Sequence, residues 1–238
     1  MKELDQNVKT LPSWRGDGKK VLILATSPRE NGNSHLLAQS LYEGALEAKH
    51  DAVITMISPY VLQLMRYCGD CRDEEGNCGL QDDFSKIFRS LYQPAEAVVF
   101  ATPIWWYGMS GHMKNFLDRI SCEISARNKS GIQAKQDIIG KKMGLLLSAE
   151  ESNFACRMPI VAQFNELCRH LRCPFVGHVS GFGNLRGEVS KDPLDPLGSA
   201  RKLGHDLFDI EETDYELDSE RPHEVWSVDR TSLPNYWR

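Results

Sequence analysis

The chain is predicted to fold as a three-layer α/β sandwich, with a doubly wound five-stranded parallel sheet in the order 2-1-3-4-5 between helices. Three observations predict it. Short apolar runs recur along the chain between turn residues, and helical patterns separate them, which is the rhythm of β-α units. The first run, moreover, passes straight into a polar loop that opens onto an amphipathic stretch, the junction at which such sheets bind phosphate.

The first strand, residues 20–26, carries Val21, Leu22, Ile23, Leu24 and Ala25 in succession. It is too short to span a membrane and reads as a strand buried on both faces. A helix over 34–49 follows, with Leu36, Leu37, Ser40, Leu41, Gly44 and Ala45 at helical spacing and Ser34 as its N-cap. The second strand is 52–58. Asp82 and Asp83 open a helix through about residue 92, where carboxylates suit the positive end of the dipole. The third strand is 95–102, followed by a helix over 110–123. Strand 142–148, helix 152–172, strand 175–180 and helix 196–208 complete the set. A ligand belongs beyond the carboxyl ends of the first, third and fourth strands, where Ser27, Pro103 and Ser148 fall.

The 238 residues are read as one core domain, 19–210, between an N-terminal arm, 1–18, and a C-terminal tail, 211–238. Asp209, Glu211, Glu212, Asp214, Glu216, Asp218 and Glu220 make the start of the tail acidic, the pattern of a solvated segment. Trp14, Trp226, Tyr236 and Trp237 nevertheless lie in these extensions. Disordered arms are poor in aromatics, so the arms are expected to dock on the core or on a neighbouring subunit.

A formal net charge of −5 leaves no basic footprint and excludes nucleic acid as a partner. The N-terminus has no apolar signal core and no run approaches a membrane span, so a cytoplasmic protein with no membrane partner is expected. Seven cysteines, an odd count without an export signal, argue against a disulfide framework. Cys122, Cys156, Cys168 and Cys173, scattered among apolar residues, read as small core residues.

The loop after the first strand offers Ser27, Arg29, Asn33 and Ser34, with Gly32 for the turn. Hydroxyls, an amide and a guanidinium can bond several oxygens of one phosphate beside the N–H groups of the next helix. No Walker lysine follows and the first turn lacks the G-x-G-x-x-G pattern, so a monophosphate is the expected ligand. After the third strand, Pro103 and Gly108 shape a rigid loop around Trp105, Trp106 and Tyr107, aromatics able to wall a planar heterocycle. Ser110 is not a nucleophile elbow, because His112 stands where the pattern needs glycine. Lys114, Asp118 and Arg119 read as a helix-surface ion pair, and the glycines of 177–187 as turn formers.

Four segments in register resemble one family over about residues 19–205. They are Thr-Ser-Pro-Arg-x-Asn-Gly-Asn-Ser from Thr26; the stretch from Cys68 to Asp83; Ala101 to Gly108 with Met113 to Arg119; and Gly181-Phe-Gly-Asn184. Together they resemble the flavodoxin-like, FMN-dependent NAD(P)H oxidoreductases, which include NADPH-dependent FMN reductases and iron–sulfur flavoproteins. The resemblance implies FMN as cofactor and NADPH or NADH as co-substrate. It further implies a small electron acceptor (quinone, nitro or azo compound, or flavin) and a homodimer or homotetramer. It assigns ring contacts to Pro103, Ile104, Trp105, Trp106, Tyr107 and the adjoining Gly108, and a third flavin loop at 148–152 with Ser148. No catalytic acid or base is named, since the chemistry belongs to the flavin. The alternatives are an electron carrier and a cluster-bearing flavoprotein. Cys68, Cys71 and Cys78 approach an iron–sulfur spacing, but Glu74 occupies the third thiolate position; a loop without metal is the expectation.

Overall fold

The computed structural model describes residues 10–67, 72–74, 76–126 and 128–211. Cys68, Cys71, Trp226, Tyr236 and Trp237 lie outside the described residues.

Five long strands form the parallel sheet: β1 (Lys20–Ala25), β2 (Asp51–Met56), β3 (Ala97–Trp105), β5 (Lys142–Ala149) and β6 (Phe175–Phe182). A two-residue strand, β4 (Gly108–Met109), pairs antiparallel with the end of β3. The order is β2-β1-β3-β5-β6, which is 2-1-3-4-5 when the parallel strands alone are numbered. Register runs Val21 to Ala97 and Ala101 to Leu146 across the centre.

Alternation along each strand sends neighbours to opposite faces, and two cores result. Val21, Ile23, Ala97, Val99, Ala101 and Leu146 face α1 (Asn33–Glu47) and α6 (Pro196–Asp206). Leu22, Leu24, Val98, Phe100, Leu145 and Leu147 face the other layer. That layer holds α2 (Phe84–Ile87) with its π-helical continuation Phe88–Tyr92, α3 (Gly111–Ile124), α4 (Lys129–Ile138) and α5 (Phe154–Leu171). On the first face the helix backbones touch. A Cβ on Gly44 would stand 1.8 Å from the Arg201 carbonyl oxygen, and one on Gly204 would stand 2.1 Å from that of Leu41.

Several local expectations change. α1 is capped at Gly32 with no side-chain hydrogen bond, so Ser34 lies inside the helix rather than at its cap. The left-handed residue of the turn is Asn31, with φ 55°. Gly32 has φ −78°; a Cβ there would come within 3.2 Å of the Arg29 carbonyl oxygen. α2 begins at Phe84 behind Asp83, and α4 has no counterpart among the expected helices because it buries only Gly131, Ala134 and Ile138. Lys114 and Asp118 do pair on the surface at 2.6 Å. Arg119, by contrast, is buried and pairs with Asp82. Trp14 packs on the core and donates its indole N–H to the Ser90 carbonyl at 3.1 Å. Cys122, Cys156, Cys168 and Cys173 are buried.

Candidate functional site

The strand order reverses between β1 and β3, and a cavity of about 220 Å³ opens beyond their carboxyl ends. Ser27, Arg29, Asn33, Ser34, Pro103, Ile104, Trp105 and Ser148 all line it, so eight of the expected residues meet at the switch point. Gly183, Asn184, Leu185 and Arg186, on the loop after β6, close the far side.

The floor is built from buried hydroxyls. Ser34 Oγ, on the first turn of α1, and Ser148 Oγ, on β5, lie 2.7 Å apart. Ser27 Oγ accepts from the Arg29 N–H at 3.2 Å, curling the loop. Behind the floor, Thr26 Oγ1 and Ser110 Oγ are 2.9 Å apart, and Thr102 Oγ1 donates to Ser110 Oγ at 3.1 Å. These hydroxyls join the ends of β1 and β3 to the start of α3. Ser110 caps that helix by accepting from Met113 N–H, and it is fully buried, which removes it as a nucleophile. Threonines closing two adjacent parallel strands were the available sequence signal for this scaffold.

Two guanidiniums, Arg29 and Arg186, line the one cavity, and neither side chain makes a hydrogen bond or ion pair among the described residues. α1 presents its N-terminus there without a side-chain cap, adding the dipole's positive end. Two cations unpaired among the described residues, buried hydroxyls and an uncapped helix end fit a phosphomonoester. Glu150 is the one carboxylate among the residues lining this cavity.

Trp106 and Tyr107 stand in a smaller adjoining cavity of about 160 Å³, with Ile104, Ala149, Glu150, Glu151 and Cys156. Trp105 pairs with Gly108 across a two-residue loop. Both loop residues are left-handed, Trp106 at φ 50° and Tyr107 at φ 60°, the backbone of a type I′ hairpin that normally selects Asn-Gly. Gly108 thus contributes its backbone to β4, away from the cavity linings. The turn leaves the Trp106 side chain in solvent, at 95% exposure. Tyr107 donates its hydroxyl to Glu151 Oε1 at 3.2 Å, and that carboxylate pushes the phenol's pKa up. Burial first, then the Glu151 charge, raises the Cys156 thiol, so it stays protonated.

Cys78 Sγ lies 3.9 Å from Arg119 Nη2. Among the described residues no group of three or more His, Cys, Asp or Glu side chains is arranged to hold a metal.

A doubly wound parallel sheet with a hydroxyl-lined cavity at its switch point and an aromatic hairpin beside it defines a flavodoxin-like protein. Residues 19–184 match the NADPH-dependent FMN reductase family, and the chain belongs to it. A Bacillus subtilis protein, YwqN, described as an NAD(P)H-dependent FMN-containing oxidoreductase, is 28% identical over 185 residues, 77% of this chain and 96% of the relative. An iron–sulfur flavoprotein of Archaeoglobus fulgidus is 23% identical over 218 residues, 91% of this chain and 92% of that one. The fold is also that of an NAD(P)H:quinone oxidoreductase from Methanothermobacter marburgensis, with TM-score 0.60 at 17% identity over 82% of this chain and 99% of that one. Membership makes the protein an NAD(P)H-dependent oxidoreductase with FMN as its flavin.

Proposed function

We propose that the protein holds FMN with its phosphate in the switch-point cavity and its ring along Pro103, Ile104, Trp105 and the Trp106–Tyr107 turn, and passes electrons from NAD(P)H to a small acceptor. Quinones, nitro or azo compounds and free flavin are the acceptor class. The observation that carries the reading is the pair of guanidiniums, Arg29 and Arg186, without a side-chain partner among the described residues, in one cavity with Ser27, Ser34 and Ser148. FMN, when bound, supplies the hydride-accepting position.

The chain's own residues bind and orient. Ser27 and Ser34 offer hydroxyls to phosphate oxygens, and the uncapped end of α1 adds its N–H groups. Pro103 and Ile104, near the end of β3 before the hairpin, supply a stiff apolar edge for the ring. Trp106 and Tyr107 wall the neighbouring cavity. The carboxylates at the site are Glu150 and Glu151. The second accepts from the Tyr107 hydroxyl. A homodimer or homotetramer fits the exposed Trp106, Phe154, Leu185 and Leu194, large apolar side chains that a neighbouring copy would cover.

An anaerobic ultraviolet–visible titration tests the reading. Bound flavin bands that bleach on adding NADPH or NADH support it and name the donor. Bands that persist would make the protein an electron carrier instead.

A further inference from the structure

The sequence reading gives Asn33 a direct phosphate contact, but its amide is committed to protein. Nδ2 donates to the Gly183 carbonyl at 2.8 Å and to the Leu185 carbonyl at 3.1 Å, and Oδ1 accepts from the Val189 N–H at 3.3 Å. Both amide protons are used. The three contacts bracket the segment 183–189, and Arg186 sits inside the bracket.

The close approach depends on Gly183. A Cβ there would lie 3.0 Å from Asn33 Nδ2 and 2.7 Å from the Val189 nitrogen. Other bonds hold the loop to its own surroundings: Gly183 N–H to Ala149 O at 2.9 Å, Leu185 N–H to Glu188 Oε2 at 2.8 Å and Phe182 N–H to Asp192 Oδ2 at 2.8 Å. None of these reaches α1. Asn33 therefore connects the loop to the helix whose first turn forms the cavity.

We infer that Asn33 is a positioning residue that locks the 183–189 loop against α1, making Arg186 the second guanidinium on the FMN phosphate opposite Arg29. This rests on the FMN reading above. It divides the labour at the cavity: Arg29 comes with the phosphate loop itself, whereas Arg186 comes from a segment 150 residues further on and is placed by a side chain that touches no ligand.

The test is flavin affinity measured with two probes, FMN and riboflavin, on flavin-free protein. Wild type should prefer FMN. Arg186→Ala and Asn33→Ala should each weaken FMN about tenfold, the size of one lost charge-assisted bond, and leave riboflavin within about twofold, which also reports an intact fold. Asn33→Asp, which loses both donors and adds a negative charge at the cavity lining, should weaken FMN at least as much as Asn33→Ala. The double variant should be no weaker than the weaker single, because both remove one interaction. FMN affinity unchanged by Arg186→Ala, or losses that simply add, would overturn the inference while the FMN reading stands. A wild type that does not distinguish FMN from riboflavin would instead overturn the phosphate reading of the cavity, and this inference with it.

Discussion

Arg119 grips Asp82 through two parallel bonds, Nη1 to Oδ2 at 2.6 Å and Nη2 to Oδ1 at 2.8 Å, with side chains 0% and 1% exposed. The same carboxylate accepts from the N–H groups of Leu62, Gln63 and Phe84, and the guanidinium lies 4.4 Å over the Phe84 ring. The pair thus stitches the loop after β2 and the start of α2 onto α3. Removing one partner strands the other charge in the core, so Asp82→Asn or Arg119→Met should cost about 3–5 kcal/mol. Burial raises the Asp82 pKa, but Arg119 and the Gln63 and Phe84 N–H groups together hold it below its ordinary 3.8. Its stabilisation is therefore complete above that value and lost as pH falls below it. Acid unfolding followed by circular dichroism should be less steep in Asp82→Asn.

Lys141 gives the opposite edge of the pH range. It is buried and donates to the carbonyls of Gln93 and Ala95, and burial lowers its pKa from 10.5 to about 8. Between those values the unfolded chain holds a proton the folded one has released, so stability rises with pH. Burial also raises the Cys173 thiol from 9.0 to about 11, which cancels that rise from about pH 9 upward. Urea midpoints should climb between pH 8 and 9 in wild type, and Lys141→Met should abolish that climb.

The α1–α6 contact leaves no room for a methyl group at Gly44. Gly44→Ala should force the helices apart and cost about 1–3 kcal/mol or more, as overpacking does. FMN affinity should hold, because the contact lies away from the cavity. A lowered urea midpoint with unchanged flavin binding is the expected result.

Arg29→Ala removes a charge from the phosphate cavity and should weaken FMN by roughly 1.5–3 kcal/mol. Flavin retained through dialysis, measured by its fluorescence, is the check; full retention would take Arg29 out of the site.

The Trp106–Tyr107 turn carries two left-handed non-glycine residues, each costing about 1–3 kcal/mol. Replacing the pair with Asn-Gly should raise the thermal midpoint and lower NAD(P)H turnover together. A gain in stability with full activity would show that the aromatics serve neither ring nor donor.

The parallel strands could be read directly because β1, β3 and β5 are buried on both faces and appear as unbroken apolar runs. α4 could not, since its polar surface hides a three-residue apolar side. The hairpin escaped for a different reason: its turn uses aromatics where Asn-Gly would have announced it. At the cavity, residue chemistry was visible but not who claims it. Asn33 looked like a ligand because an amide suits phosphate; its capture by Gly183, Leu185 and Val189 depends on a tertiary approach that no spacing encodes. Arg186 lay just past a matched segment whose glycines were read as turn formers, and Arg119 in what looked like a surface pair, for the same reason.

Trp105 and Trp106 stand at the two adjoining cavities beyond the carboxyl ends of the strands, whereas Trp14 is held against Ser90 and beside Lys20, at the start of β1. The protein thereby contains its own optical gauge. A flavin seated along the hairpin would draw excitation from the two nearby indoles far more than from Trp14, so intrinsic emission would dim as the cofactor arrives and brighten as it leaves, with no label attached.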